Sequence, residues 1–443
     1  ESPLLPLTAA AGGIALIGAF AREPRYQGAG SSQVTPVGPV ENIHDELIAL
    51  AGADGLRGYA PGYSVDGATD ESLLREAQDL ARQAEVAVVV VGLPAAYESE
   101  GADRVHIDLP PGHNALVEAV LQVQPRVVVV LVNGSAVALP WVDRVPALVE
   151  GWLAGQGGGG AIAAVLMGQV NPSGKLAETF PARLADTPAY LSFPHDGTGL
   201  VRFGEGLFTG SRWYDARRIE PLFPFGHGLS YTTFAYSELG LETQVAAEGA
   251  SVTVSLRVRN TGSRAGSEVV QIYVHEQAPH LPRPDKELKA FAKVALDPGE
   301  EQMVRFTLGP RDFAIYDPRV AAWTVQSGVF RILVGSSSRD IRLHGSVTVA
   351  ATPTARVSLN RLSPLRDWLR HPVGRVALLP GINARLEQMG EAPLPEDGNA
   401  PSAPINGFIG DMPISKLVMF GALSEQNLSE LIAAANAQDG VTF

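Results

Sequence analysis

Residues 97–104 read YESEGADR, directly after the apolar run EVAVVVVGLP, and place Tyr97, Glu98, Glu100, Asp103 and Arg104 within eight positions. Two carboxylates two residues apart beside a guanidinium are a combination that can move protons. A carboxyl group near a second carboxylate has its pKa raised, and can then donate a proton near neutrality. The same residue types suit a solvated loop in which Arg104 pairs with a carboxylate. Type and spacing alone leave both readings open.

Other stretches carry weaker signals. GQGGGG (155–160) fits G-x-G-x-x-G, follows a strand-like run and precedes the helix-like AIAAVLMG. It lies late in the series of strands, and NPSGK interrupts before Glu178, so a close-packed loop is expected there and no nucleotide cofactor. NGS (133–135) is formally a glycosylation sequon, and is read as the turn closing a strand. The nine histidines are scattered with none at metal-ligand spacing, so no metal centre is expected. His227 in FPFGHGLSY is read as structural.

These residues need elements to position them. GIALIGAF (13–20), VAVVVVGL (86–93), RVVVVLVNG (126–134) and PALVEGW (146–152) are buried-strand patterns. ESLLREAQDLARQA (71–84) has helical spacing with Thr69 or Asp70 as N-cap, and PPGHNALVEAVLQV (110–123) opens on proline as a helix start should. Val-rich strands alternating with helices predict a mostly parallel sheet covered on both faces, an α/β sandwich. Ligand groups in such sheets collect at the C-terminal ends of strands, which is where YESEGADR stands.

Beyond residue 170 the pattern changes. NPSGKLAETFP, EGLFTGSRWYD and PLFPFGHGLSYTTF form an extended connector pinned by aromatic packing, since flexible linkers lack such residues. From 236 to 350 strict alternation takes over: SVTVSLRVRN, EVVQIYVHE, KAFAKVAL, QMVRFTL, AAWTVQ, VFRILVG and HGSVTVA predict roughly seven strands of an antiparallel sandwich. In the remainder, TPTARVSLNRLSP reads as a linker, LRDWLRHPVG as a short helix, 390–407 as Pro-, Gly- and Ser-rich, and SEQNLSELIAAANA (424–437) as a helix capped by Ser424. The expected organisation is 1–190, α/β domain; 191–235, connector; 236–350, all-β domain; 351–443, a small, partly helical C-terminal extension.

Composition narrows the partners. A formal charge of −13 with no basic block argues against nucleic acid, whose phosphates need clustered Lys and Arg. No apolar stretch approaches the roughly 18 residues that span a bilayer, so no membrane partner is expected. The absence of cysteine removes disulfides, thiolate ligands and a Cys nucleophile. Compartment stays open between cytoplasmic and secreted or periplasmic.

YESEGADRVHIDLPPGHNALVEAV resembles the E-x-E-G-x-D-R…L-P…L-V-x-A-V segment of glycoside hydrolase family 3. The resemblance continues through VVVVLVNGSAVALPW, EGWLAGQGGGGAIAAVLMGQVNPSGKLAETFP and PLFPFGHGLSYTTF, and on into RNTGSRAGSEVVQIYV, RPDKELKAFAKVALDPGE and ILVGSSSRDI. With LLPL and YQGAGSS near the start, it covers about residues 3 to 350. It implies an α/β sandwich followed by a fibronectin type III-like domain.

The resemblance also implies a mechanism. Retaining members cleave terminal β-linked glucose, xylose or N-acetylhexosamine units by double displacement, with an Asp nucleophile and a second residue as acid and then base. The Glu immediately before the Gly in E-x-E-G-x-D-R is the acid/base, which carries over to Glu100. Glu98 and Arg104 become residues that hold the loop, Asp103 is expected to pair within it, and Ser31 of QGAGSS corresponds to a position that approaches the sugar. Ser211 in GSRWYD departs from the aromatic residue common at that position. The larger departure is an N-terminal (β/α)₈ barrel, which carries the nucleophile in the family and needs about 200 residues or more. Nothing in the chain resembles it. Since the chain opens on Glu1 instead of Met, the barrel is expected ahead of it or on a separate chain, and the chain alone is expected to be inactive. A non-catalytic carbohydrate-binding or scaffolding protein that kept the fold is the alternative reading.

Overall fold

Uninterrupted valine runs belong in strands with no solvent face, and that is where the computed structural model places them. Strands β1 (Ile14–Ile17), β2 (Leu56–Ala60), β3 (Val86–Gly92), β4 (Val127–Val132) and β5 (Ala147–Glu150) form one sheet in the order β2-β1-β3-β4-β5, with every pair parallel. All residues of β3 and β4 are buried. Helices α1 (Ile43–Ala51) and α4 (Gly158–Leu166) pack together, as do α2 (Glu71–Arg82) and α3 (Pro111–Leu121), covering the two faces. The structure describes residues 3–7, 13–193, 197–246, 249–279, 281–318, 320, 322–351, 358–388, 390, 392–394 and 410–437.

Strand β2 is the sheet member the sequence does not announce. It is an edge strand of sequence LRGYA whose Arg57 is exposed, so it lacks the apolar run of its neighbours. The start of α2 follows expectation. Asp70 is its N-cap, accepting from the backbone N–H of Ser72 and Leu73 at 2.8 and 2.9 Å. Asp70→Ala should lower stability by about 1 kcal/mol, read as a shift in urea midpoint at constant slope.

GQGGGG behaves as a close-packed loop. A Cβ on Gly159 would lie 2.6 Å from the Asn42 backbone, so this glycine lets α4 approach the start of α1. The chain's own Glu41 carboxylate accepts from Gly160 N–H at 3.0 Å at the N-terminal end of α4, the place a pyrophosphate would need.

Helix α5 (Ser211–Arg217) lies in the connector and precedes the all-β region. There β6 (Phe234–Ala246), β7 (Gly249–Asn260), β8 (Gly266–Glu276), β9 (Glu287–Leu296) and β10 (Glu301–Leu308) precede helix α6 (Pro310–Phe313) and the pair β11 (Ile315–Asp317) and β12 (Ala322–Thr324); β13 (Gly328–Gly335) and β14 (Ile341–Val349) follow. Two sheets, β10-β7-β6 and β14-β13-β8-β9, make a seven-stranded sandwich. Val252, Val254, Leu256 and Val258 are buried, as the alternation of β7 requires.

The membership of the sandwich differs from expectation at two places. β6 belongs to it although its start was assigned to the connector. Its apolar phase slips at Glu238, whose φ is +55°: Tyr236 faces inward before it, while Leu239 and Leu241 are the more buried positions after it. That slip hides the period of two. AAWTVQ contributes only Ala322–Thr324, paired with β11 in a separate two-stranded sheet.

The described chain divides into two compact units. Glu1–Gln244, Val252–Leu308 and Val329–Val347 form the first; Val245–Ser251, Gly309–Gly328 and Thr348–Phe443 form the second. In the second, α7 (Leu365–Arg370), α8 (Pro372–Gln388), α9 (Ser415–Met419) and α10 (Glu425–Ala437) surround a core that includes Leu365, Trp368, Leu378, Ile414 and Leu428. Ser424 caps α10, its hydroxyl accepting from Asn427 N–H at 3.0 Å. Residues 352–357 of the expected linker and most of the segment 390–407 lie outside the described residues. Among the described residues no helix is long and apolar enough to cross a membrane.

Candidate active site

The strand order puts a topological switch point between β1 and β3. From β1 the chain moves to β2 on one side, and from β3 to β4 on the other, the place in an open α/β sheet where ligand groups collect. The loops leaving β1 and β3 both carry sequence-predicted residues. Ala29 and Ser99 form a parallel bridge, and Ser31 N–H donates to Glu100 Oε2 at 2.6 Å. Gly30 between them has φ of +87°, and a Cβ there would lie 2.5 Å from Glu100 Cβ; the position needs glycine for both backbone and space. Glu100 is exposed, and its carboxyl is held below the usual carboxylate range by the Ser31 hydroxyl and then the Ser31 N–H.

Glu98 turns to a different neighbour. Its carboxylate accepts from Gly134 N–H at 2.8 and 2.9 Å and from Ser135 Oγ at 3.0 Å, in the turn that leaves β4. Arg104 reaches the same turn, with Nη1 donating to Ser135 Oγ at 2.7 Å and to Ala136 O at 3.4 Å. Glu98 and Arg104 are therefore joined through Ser135. Burial lowers the Arg104 pKa against the pull of Glu98, and Arg104 Nε and Nη2 are buried without a hydrogen-bond partner among the described residues. Asp103 is exposed and makes no ion pair or hydrogen bond among the described residues, so the pairing expected of it is not formed.

Three charged residues at this end of the sheet escaped the sequence reading. Glu150 ends β5, accepting from Trp152 N–H at 2.8 Å and from Asn133 Nδ2 at 3.4 Å. Burial pushes its pKa up to about 8, with Glu178 and Glu98 adding to the rise against the Trp152 and Asn133 hydrogen bonds. Glu178 accepts from Ala136 N–H at 2.9 Å, and its pKa is also raised, first by burial. Arg25 Nε donates to Leu93 O at 2.9 Å, and its own pKa is lowered by burial against the pull of Glu98. The available signal was Glu150 at the C-terminal end of a strand run, the same place that singled out YESEGADR. Asn133 of the sequon is fully buried and Nδ2 donates to Ser135 O at 3.0 Å, so it is the turn residue expected. His227 stacks on Phe223 at 5.3 Å between ring centroids, as a structural residue does.

Beside this turn lies a cleft of about 550 Å³, whose walls include Arg104, Ser135, Glu178, Ser211, Tyr214 and Tyr273. Ser211, the departure noted in the sequence, lines it from the first turn of α5 together with Arg212 and Tyr214.

A parallel α/β sheet with acidic loops at its switch point, followed by a seven-stranded sandwich, is the C-terminal architecture of a class of carbohydrate-cleaving enzymes. Residues 1–231 match the family model described as the glycosyl hydrolase family 3 C-terminal domain, and residues 268–338 match a fibronectin type III-like domain. The chain belongs to glycosyl hydrolase family 3. It is 46% identical over 98% of its length to thermostable beta-glucosidase B of Acetivibrio thermocellus, covering 57% of that protein. It is 40% identical over 91% of its length to an exo-alpha-(1->6)-L-arabinopyranosidase of Bifidobacterium breve, covering 52% of it. The crystal structure of a family 3 beta-glucosidase from Bifidobacterium adolescentis superimposes with a TM-score of 0.77 at 40% identity, over 85% of this chain and 54% of that one. The chain thus spans about half the length of the curated relatives it matches. Its described residues include no (β/α)₈ barrel.

Proposed function

We infer that this chain supplies the general acid/base, Glu100, of a retaining, exo-acting β-glycosidase. The nucleophilic Asp belongs to a (β/α)₈ barrel joined in cis or present as a separate chain. The substrate is a glycoside or oligosaccharide with a terminal, non-reducing β-linked sugar. The observation that carries this reading is the placement of Glu100: an exposed carboxylate at the topological switch point, fixed by Ser31 N–H.

The chemistry follows from that placement. In the first step the nucleophile attacks the anomeric carbon while the Glu100 carboxyl gives its proton to the departing glycosidic oxygen. In the second, the Glu100 carboxylate takes a proton from the water that displaces the enzyme from the sugar. Solvated and bonded to Ser31, Glu100 is ionised at neutral pH, the form suited to the second step. The first step needs the proton retained. Covering Glu100 with a barrel and a sugar removes water and brings up a second carboxylate, and both raise its pKa. The acid form is thus a product of assembly. Ser31 shares this end of the sheet and approaches the sugar, while Glu98 and Arg104 hold the loop.

The isolated chain should give no hydrolysis of an aryl β-glucoside, and joining it to the N-terminal region of the Acetivibrio thermocellus relative should restore it. Substantial turnover by the isolated chain, abolished by Glu100→Ala, would place a nucleophile within these 443 residues and sink the division of labour.

A further inference from the structure

The turn Asn133–Ala136 is a hub. Gly134 N–H and Ser135 Oγ donate to Glu98, Ala136 N–H to Glu178, and Asn133 Nδ2 to Glu150, while Arg104 donates to Ser135 Oγ and Ala136 O. Three carboxylates and a guanidinium from three other segments meet on four residues. Of these segments, only the one carrying Glu98 and Arg104 also carries Glu100. Glu98 is therefore the strut through which the position of the turn is passed to the acid/base two residues on.

Below the turn, Asn133 is fully buried and uses Nδ2 both to close the turn onto Ser135 O and to reach Glu150 Oε2. Glu150 is fixed in its turn by the N–H of Trp152, a non-glycine residue with φ of +53°. Trp152 packs edge-on against Phe180 at 5.8 Å, two residues from Glu178. A left-handed backbone at a tryptophan persists only where its surroundings over-determine it. Here the Glu150 hydrogen bond and the Phe180 contact do so.

We propose that Glu150 is a positioning residue for Glu100: through Asn133 it holds the 133–136 turn, the turn holds Glu98, and Glu98 sets where the Glu100 carboxylate meets Ser31. The proposal rests on Glu100 being the acid/base, but the mechanical link can be tested without that assumption. The Glu150 side chain is bonded to Trp152 N–H and Asn133 Nδ2, so it acts through geometry. Burial keeps Glu150 protonated at neutral pH, which spares Glu98 a like charge alongside Glu178. The cations acting on Glu98 are Arg25 and Arg104.

The test is amide hydrogen exchange on the full chain, followed by mass spectrometry of peptides covering 25–34, 97–104 and 133–137, for the natural chain, Glu150→Gln and Glu150→Ala. Glutamine keeps the length, a neutral group and an oxygen for Trp152 N–H, but sets its NH2 against Asn133 Nδ2 and so removes that acceptor. Glu150→Ala should speed exchange at Gly134 and Ser31 by about 10- to 100-fold, the loss of a 1.4 to 2.7 kcal/mol constraint. Strands β3 and β4 should stay protected, and Glu150→Gln, which keeps only the Trp152 bond, should speed the same two amides less than Glu150→Ala does. Unchanged exchange at Ser31 in Glu150→Ala, with Gly134 freed, would overturn the link to Glu100, as would equal exchange in all three chains. In the barrel-joined enzyme, Glu150→Ala should lower kcat with little change in KM, and Glu150→Gln should lower it less. If exchange couples as described while Glu100→Gln leaves catalysis intact, the positioning role stands and the acid/base assignment falls.

Discussion

Glu100→Gln in the barrel-joined enzyme should lower kcat/KM by about 10²- to 10⁴-fold for alkyl glycosides and disaccharides, and by far less for dinitrophenyl glycosides. The difference comes from the leaving group. An alkoxide departs only with a proton delivered as the bond breaks, whereas a dinitrophenolate is stable enough to leave without one. Glutamine has nearly the shape of Glu100 and can still accept from Ser31 N–H through its oxygen, so the loop should stay in place. In free energy the poor leaving groups lose about 2.7 to 5.5 kcal/mol of transition-state stabilisation. The second step also loses its base, so dinitrophenyl substrates should show a depressed kcat, recovered by azide, which needs no deprotonation to attack. The measurement is a plot of log kcat/KM against leaving-group pKa. A much steeper slope in the variant supports the role, and equal losses across the series exclude it.

The acid role asks Glu100 to change state on assembly. In this chain its carboxyl lies below the usual range, held there by the Ser31 hydroxyl and N–H. The burial that raises Glu150 and Glu178 shows what the same sheet edge does to a carboxyl once water is removed. A barrel closing over Glu100 would extend that effect by a few side-chain diameters.

How much of this was legible in sequence depends on how locally each feature is written. β3 and β4 are legible because burial on both faces demands unbroken apolar residues. β2 is not, because an edge strand can hold Arg57 and Gly58. β6 is obscured by the phase slip at Glu238, which no count of alternating residues detects. The site divides the same way. Glu98, Glu100 and Arg104 fall within seven residues and invite a chemical reading. Glu150 reaches the same end of the sheet from the close of β5, and Glu178 and Arg25 from other segments, none of them within a compact charged motif like that of 97–104. Only the strand order brings them together. Asp103, adjacent to Arg104 in sequence, points away from any described partner, because neighbours along a loop need not share a side of it.

Glu150→Gln should remove a pH dependence from the stability of the α/β domain. In the native chain the Glu150 pKa is about 8; unfolded, it returns to the usual value near 4.5. Below about 4.5 both states are protonated and its stabilising contribution is fully present. Between about 4.5 and 8 the folded chain keeps a proton that the unfolded chain has released, so stability falls as pH rises. Above about 8 the folded state holds a buried anion beside Glu98 and Glu178, and the loss is complete. The span corresponds to about 3 to 5 kcal/mol. Glutamine is neutral throughout and lacks this slope. Glu100, displaced downward, is present in both proteins and cancels in the difference, while Glu178 interacts with Glu150 and its response is part of the slope measured. Urea unfolding of both chains at pH 5, 7 and 9 makes the comparison. The variant should gain on the natural chain at each step, with most of the gain in place by pH 9. A constant difference across the three pH values would mean that Glu150 is ionised throughout. The turn holding Glu98 would then rest on a charged strut, and it should lose no order on the alkaline side.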